Sequence, residues 1–510
     1  LERALQPGDS LRLRFDLAFR TRGFPNSAVP TAVVRNGAFF DRQWLPIIGY
    51  QPALELDGAE ERREHGLPPA PPRPGPDDAR ARQARFTLRD SELVQVDAVI
   101  GTEPGQVAVT SGTLVREWRE NGRRYFHYRT DAPLPFMSPF LSARYAVRED
   151  RWKDVELRIL HHPAHTVNVE RMLQSMKSSL DYNTREFGPY QFRQLRIVEF
   201  PRYASFARAY PHTIAFSEGS AFLTRVDPGD VDRTFFVVAH ETAHQWWGGQ
   251  VIGANVRGEA LLSESLAQYS AMMVMEKALG PEQVRRFYDY EMDLYLRGRR
   301  IFTNREVPLL DMEGQQYLYY HKGAVAMYTL REHIGEAAVK TALRRFLEKN
   351  RAGAPPYPTS RDLYAEFQAV TPDSLRPLLH DLFAQVTLWD VRTHGARVES
   401  ASGGAFRVTL DVTAAKARAD SIGNETPLPM NDLVEIGVFA AAADGESRGA
   451  PLYLRRHRLR AGRQTITVTV PRRPARAGID PLNKLIQRES GDNVVDVDAA
   501  TSARPAASRP

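Results

Sequence analysis

The chain contains no cysteine. Disulfides and thiolate metal sites are therefore excluded, and any zinc must be held by nitrogen and oxygen. Long apolar runs are missing too. The runs present, such as "FFVVA" at 235–239 and "AMMVM" at 271–275, stop far short of the roughly 20 residues a membrane span needs. Neither charge dominates: 68 Lys and Arg face 62 Asp and Glu, for a net +6, and no basic block stands out. No nucleic-acid partner is expected on that ground. A G-x-S-x-G nucleophile elbow and a phosphate-binding loop are also missing. The opening "LERALQPGDS" has neither the pattern of a signal peptide nor an initial methionine, so a processed chain or a piece of a longer one is expected.

What is present is ordinary for a globular protein of several domains: 510 residues, 42% hydrophobic and 25% charged. Residues 1–165 read as a β domain, with alternation in "LRLRFDLAFRT", "RFTLRDSELVQV" and "YFHYRT" and a Pro-rich loop at 66–83. From 166 to 390 the period becomes helical, with stretches at 166–188, 230–247, 261–279, 281–298, 320–335, 336–350 and 360–387. Gly280-Pro281 marks a stop and restart. From 391 to 490 strands return at a spacing that suits a small β-sandwich, and 491–510 reads as a flexible tail. The expected fold class is α+β and multidomain, with a mostly helical domain between two β domains.

The middle domain opens with "VVAHETAHQWWGG" at 237–249. On a helix capped by Asp230 or Asp232, His240 and His244 fall about 40° apart around the axis and about 6 Å apart along it, so both imidazoles can reach one ion. Glu241 points about 100° away and can reach a water on that ion. This is the HExxH arrangement of two ligands and a general base. A catalytic zinc needs a third protein ligand and an open position. Glu264, in "LSESLAQY", lies beside the inward face marked by Leu262, Leu266 and Ala267, where a carboxylate is costly unless paired or bound to metal. Its competitor, Glu259, reads as part of a turn. One zinc ion is expected, with a tyrosine phenol to stabilise the oxyanion. "QYLYYHKGAVAMYTL" offers four tyrosines and leaves the choice open. Trp246 and Trp247 are expected to pack the helix. "HHPAH" at 161–165 fits no common zinc spacing and reads as surface polar residues.

"HETAHQWWGG", "LLSESLAQYSA" and "YHKGAVAMY", in that order, resemble the motifs of the aminopeptidase N family of gluzincin metallopeptidases. "PFLSARYAV" and "REFGPYQFRQLRIVEFP" extend the likeness. The resemblance implies a thermolysin-like catalytic domain, peptide substrates, zinc on His240, His244 and Glu264, Glu241 as general base and Tyr320 as the oxyanion-stabilising phenol. The sequence departs from the family in three ways. Nineteen residues, not eighteen, separate His244 from Glu264. The G-x-M-E-N segment that grips a substrate's α-ammonium group is replaced by "FARAY" at 206–210, which has no acid; Glu218, nearby, is the substitute on offer. A large C-terminal helical domain is missing. The wording "SESLAQYSAMMVMEK" and "NDLVEIGVFA" resembles a bacterial branch fused to ABC-type transporter permeases, which implies a tether to the inner membrane with the periplasmic side favoured. The expected function is a zinc peptidase of aminopeptidase type; the alternative is a peptide-binding or transporter-associated module whose zinc is structural or silent.

Overall fold

The computed structural model of the protein describes residues 4, 6, 8–20, 32–34, 36–41, 44–46, 55–56, 58–86, 93–135, 137–202, 204–227, 229–301, 306–351, 353–442 and 449–499. A β-rich N-terminal region, a helical middle and a curled C-terminal sheet follow one another, as the α+β reading expects. Two compact units account for the chain. The first is Leu1–Pro72, Leu88–Lys177 and Gln191–Asp227; the second is Arg73–Thr87, Ser178–Tyr190 and Pro228–Pro510.

In the first unit the principal sheet has five strands: β1 (Ala146–Trp152), β2 (Val155–His161), β3 (Gln194–Phe200), β4 (Ala207–Tyr210) and β5 (Thr213–Ser217). Their order is β1-β2-β3-β5-β4, with β2, β3 and β5 parallel. Helix α1 (Val169–Glu186) lies in the crossover that parallel strands require, and the division between the units falls within it. Every residue of β3 is buried, as expected of a central parallel strand. Phe39, Leu141, Leu160, Val198 and Phe200 form part of a core that joins this sheet to a smaller four-stranded one.

The expected N-terminal strands are only partly realised. "YFHYRT" lies in a strand, Arg123–Arg129. "RFTLRDSELVQV" contributes an isolated bridge at Arg85 and the short strand Leu93–Val94, and 87–92 fall outside the described residues. Residues 11–20 are irregular, and Leu11, Leu13, Phe15, Leu17 and Phe19 are all exposed. Alternation assigns residues to faces, but it does not supply a partner edge. The Pro-rich loop is mostly exposed and ends in a 3₁₀ turn at Ala81–Gln83.

The second unit carries α2 (Arg233–Ala243), α3 (Leu266–Leu279), α4 (Pro281–Ile301), α5 (Gly323–Ile334), α6 (Glu336–Asn350), α7 (Ser360–Val370) and α8 (Arg376–Phe383). Gly280, at φ 95°, closes α3, and Pro281 opens α4. The expected helical stretch 360–387 is instead two helices. Thr371 precedes Pro372 and is extended, which stops α7, and a strand begins at Thr387. Two π turns, Leu261–Ser265 and Tyr317–Lys322, lead directly into α3 and α5. No helix among the described residues is long and apolar enough to cross a membrane.

The closing sheet comprises β6 (Thr387–Ser400), β7 (Phe406–Ala419), β8 (Glu425–Leu428), β9 (Asn431–Phe439), β10 (Pro451–Arg460), β11 (Gly462–Val470), β12 (Arg476–Ile479) and β13 (Val494–Ala499). Its strands hydrogen-bond along one path, β8-β7-β6-β13-β12-β9-β10, with β11 also on β7. The tail expected from 491 is thus corrected in its first part: "VVDVDA" alternates and forms β13, between β6 and β12. Residues 500–510 lie outside the described residues.

Candidate metal centre

Asp232 caps α2 by accepting a hydrogen bond from the Phe235 N–H (2.9 Å). The helix buries Phe235, Val238 and Ala239, which places His240 and Glu241 at buried positions one turn before His244, at the helix end. Trp246 and Trp247 follow, both fully buried. Their indole N–H groups donate to Gly188 O and Ser270 Oγ, 2.9 Å each, and lock the turn after the helix in place as expected.

The imidazole Nε2 atoms of His240 and His244 lie 3.0 Å apart, and Glu264 Oε2 lies 3.3 and 3.4 Å from them. A tetrahedral ion with bonds of about 2.0–2.1 Å has ligand-to-ligand edges of roughly 3.3–3.4 Å, so this triangle fits zinc. The nitrogens and the oxygen already face one point. His244 Nδ1 lies 2.9 Å from Trp247 O, which leaves Nε2 as the ligand atom. Electrostatics agree with the geometry. Burial alone would lower the pKa of His244, but Glu264 and then Glu241 push it up to about 9. Burial opposes ionisation of Glu264, yet His244 and His240 hold its carboxyl well below the usual range.

Glu264 enters from the π turn Leu261–Ser265. An i→i+5 turn holds one residue more than an α turn, which provides a place to absorb the nineteenth residue after His244 without shifting α3. Tyr320 enters from the second π turn. Its ring centroid is 5.9 Å from that of His240, and its phenol pKa is raised by burial first and by Glu264 second, with Glu241 adding to the effect. Tyr319 also feels Glu264, whereas Tyr317 stacks on Tyr295 and Tyr328 packs near Tyr288. Tyr320 alone of the four combines Glu264, Glu241 and the His240 ring.

Three supporting features were not visible in the sequence. Ser265 Oγ donates to Tyr319 O (2.6 Å), and a Cβ on Gly323 would stand 2.2 Å from Ser265 Oγ, so the two π turns touch because residue 323 is glycine. Lys322 is completely buried and donates to Glu306 (2.8 Å), which also takes a hydrogen bond from Tyr295 (2.6 Å) and an ion pair from Arg299. Glu259, read as a turn residue, is buried as well; burial and then Glu264 raise its pKa to about 8. It lies outside the ligand cluster.

Glu218 belongs to the first unit, where its Oε1 accepts the Arg202 N–H (3.0 Å). The surface reading of "HHPAH" is corrected: His161 is buried, and His165 is half-buried against Glu199.

Residues 171–380 match the peptidase family M1 domain. Among similar proteins, the leucyl aminopeptidase of Saccharolobus solfataricus is 24% identical over 326 residues, which cover 60% of this chain and 38% of that protein. Human endoplasmic reticulum aminopeptidase 2 is 24% identical over 207 residues, 38% of this chain and 21% of that one. The crystal structure of Legionella pneumophila aminopeptidase A in complex with aspartic acid superposes with a TM-score of 0.51 at 17% identity and covers 78% of this chain and 45% of that chain, a likeness of fold. The chain thus spans less than half the length of each of these similar proteins.

Proposed function

We propose that the chain is a zinc-dependent peptidase that works as an aminopeptidase. The observation that carries this reading is the triangle of His240, His244 and Glu264, with Glu241 and Tyr320 beside it. His240, His244 and Glu264 would hold the ion; when bound, zinc lowers the pKa of its water toward about 7 and polarises a carbonyl. Glu241 takes the proton of the attacking water and passes it to the leaving amine. Tyr320, kept protonated by its raised pKa, donates a hydrogen bond to the developing oxyanion.

The test compares hydrolysis of aminoacyl-anilides and of internally quenched, amino-blocked peptides, with and without a chelator, in the wild type and in Glu241→Gln. Chelator-sensitive hydrolysis of the anilides that disappears in Glu241→Gln is expected. Cleavage confined to blocked peptides would remove the aminopeptidase label and keep the chemistry. A zinc-loaded wild type that turns over neither substrate would leave the second reading, a peptide-binding or transporter-associated module with a silent zinc. "FARAY" favours that second reading, since it offers no acid to a substrate's ammonium group, and so does Glu218, one of whose oxygens is already engaged.

We also propose a tether to an ABC-type permease at a bacterial inner membrane, on the periplasmic side. Support comes from the wording of "SESLAQYSAMMVMEK" and "NDLVEIGVFA". The complete open reading frame tests it: apolar spans encoded before Leu1 are expected.

A further inference from the structure

We propose that His165, Glu199 and Glu218 form a second cation site, lying wholly within the first unit, that takes a first-row divalent metal such as zinc or manganese. Glu199 sits one residue before the end of β3, and its side chain is 4% exposed. Its Oε2 accepts the His162 N–H (2.6 Å), and its Oε1 lies 2.5 Å from His165 Nδ1. In the parallel register of β3 and β5, Phe200 pairs with Ser217, so the next residue, Glu218, emerges at the same edge of the sheet. Its Oε2 lies 4.0 Å from the same imidazole nitrogen, while its Oε1 accepts the Arg202 N–H. One ligand atom from each of the three residues falls within 4.8 Å of the others.

Charge points to a cation. Among the described residues neither carboxylate is ion-paired with a lysine or arginine side chain; His165 is the partner of both. A carboxylate as buried as Glu199 is costly without a counter-charge. One imidazole nitrogen and two carboxylate oxygens suit zinc or manganese, whereas calcium and magnesium favour all-oxygen sites. The "HHPAH" spacing matched no zinc pattern because it supplies one ligand, and the others come from strand ends 34 and 53 residues further on. Glu218 also begins a π turn, Glu218–Phe222, like the π turns that carry Glu264 and Tyr320. The rival account is a metal-free brace, in which His165 ties its loop to Glu199 by their direct contact alone.

Equilibrium dialysis of the full chain against zinc, and separately against manganese, followed by elemental analysis, decides between them. His244→Ala disables the first site. The wild type is expected to hold two zinc ions per chain, His244→Ala one, and both His244→Ala/His165→Ala and His244→Ala/Glu218→Gln none. Zinc should raise the Tm of His244→Ala and leave that of the double variants unchanged, with circular dichroism confirming that each is folded. Glu218→Gln, at a half-exposed position, covers the case in which loss of His165 unfolds the chain. A wild type whose single ion persists in His244→Ala but is lost with His165 would support this site while sinking the first. A His244→Ala variant that binds no ion, or an ion in it that survives both second-site substitutions, overturns the proposal.

Discussion

Tyr320 and Glu259 show what burial does to single ionisable groups around His240, His244 and Glu264. Tyr320 stays a phenol at any working pH, so it is available as a donor and contributes nothing as a charge. Tyr320→Phe should therefore lower kcat by about 10²–10³-fold, the size of effect seen when an oxyanion donor is removed, with metal content unchanged; steady-state kinetics paired with elemental analysis checks it. Glu259 behaves differently. In the metal-free chain its folded pKa is about 8, against an ordinary value of 4.5, so the folded state binds the proton more tightly than the unfolded one. The resulting stability is present below about pH 4.5 and lost as pH rises through 8. Glu259→Gln removes that titration. Urea unfolding of the chelated proteins at pH 5 and pH 9 should show the wild type losing on the order of 3–5 kcal/mol more than the variant. At this scale the sequence was informative where spacing decides. His240 and His244 declare themselves by a helical turn, and Glu264 by a carboxylate beside an apolar face. Tyr320 could not be picked from four tyrosines without the resemblance, because the choice depends on three elements meeting. Glu259 was set aside as a ligand and lies outside the cluster, but its burial could not be read from a carboxylate at the start of a helical turn.

At the scale of elements, the two π turns hold the centre together. Lys322 is held inside the protein by Glu306, and Lys322→Met leaves that carboxylate with Arg299 and Tyr295 only. A loss of about 3 kcal/mol in urea unfolding is expected, at the low end for a broken buried pair because Glu306 keeps a cation. Gly323→Ala tests the contact itself. Its new methyl group would press on Ser265 Oγ, and a cost of about 1–3 kcal/mol is expected together with a lower kcat, since both Glu264 and Tyr320 would shift. Differential scanning calorimetry and kinetics on the same sample read the two effects. Most helices were legible from their period, and Gly280-Pro281 from turn chemistry. The π turns were not, because an extra residue per turn leaves the apolar pattern nearly unchanged. β13 hid in a polar tail as Val495 and Val497 alternating with Asp496 and Asp498, and residues 11–20 show the converse, alternation with no strand.

On the scale of the whole molecule, the order of the chain is not the order of its compact units. Segments 73–87 and 178–190 belong with 228–510. Gly188 accepts from Trp246, Phe187 packs edge-on to Trp247, and Arg82 and Arg85 bond to backbone carbonyls at 357 and 353. A fragment starting at residue 228 would therefore lack partners for the tryptophans that follow His240 and His244. Expressed alone, it should give no cooperative thermal transition; a sharp melt at the full-chain Tm would show that those segments are dispensable. Composition and period revealed the three broad regions, but interleaving depends on contacts between distant segments, and no local pattern records it.

The clasp between Ser265 and Gly323 also bears on how such a protein can change. Because the two π turns meet through the Ser265 hydroxyl, with no side chain at position 323 to hold them apart, neither Glu264 nor the Tyr320 phenol can be moved independently. Efforts to retune substrate preference would do better to alter residues beyond this pair of turns, and libraries that include position 323 should return mostly inactive clones.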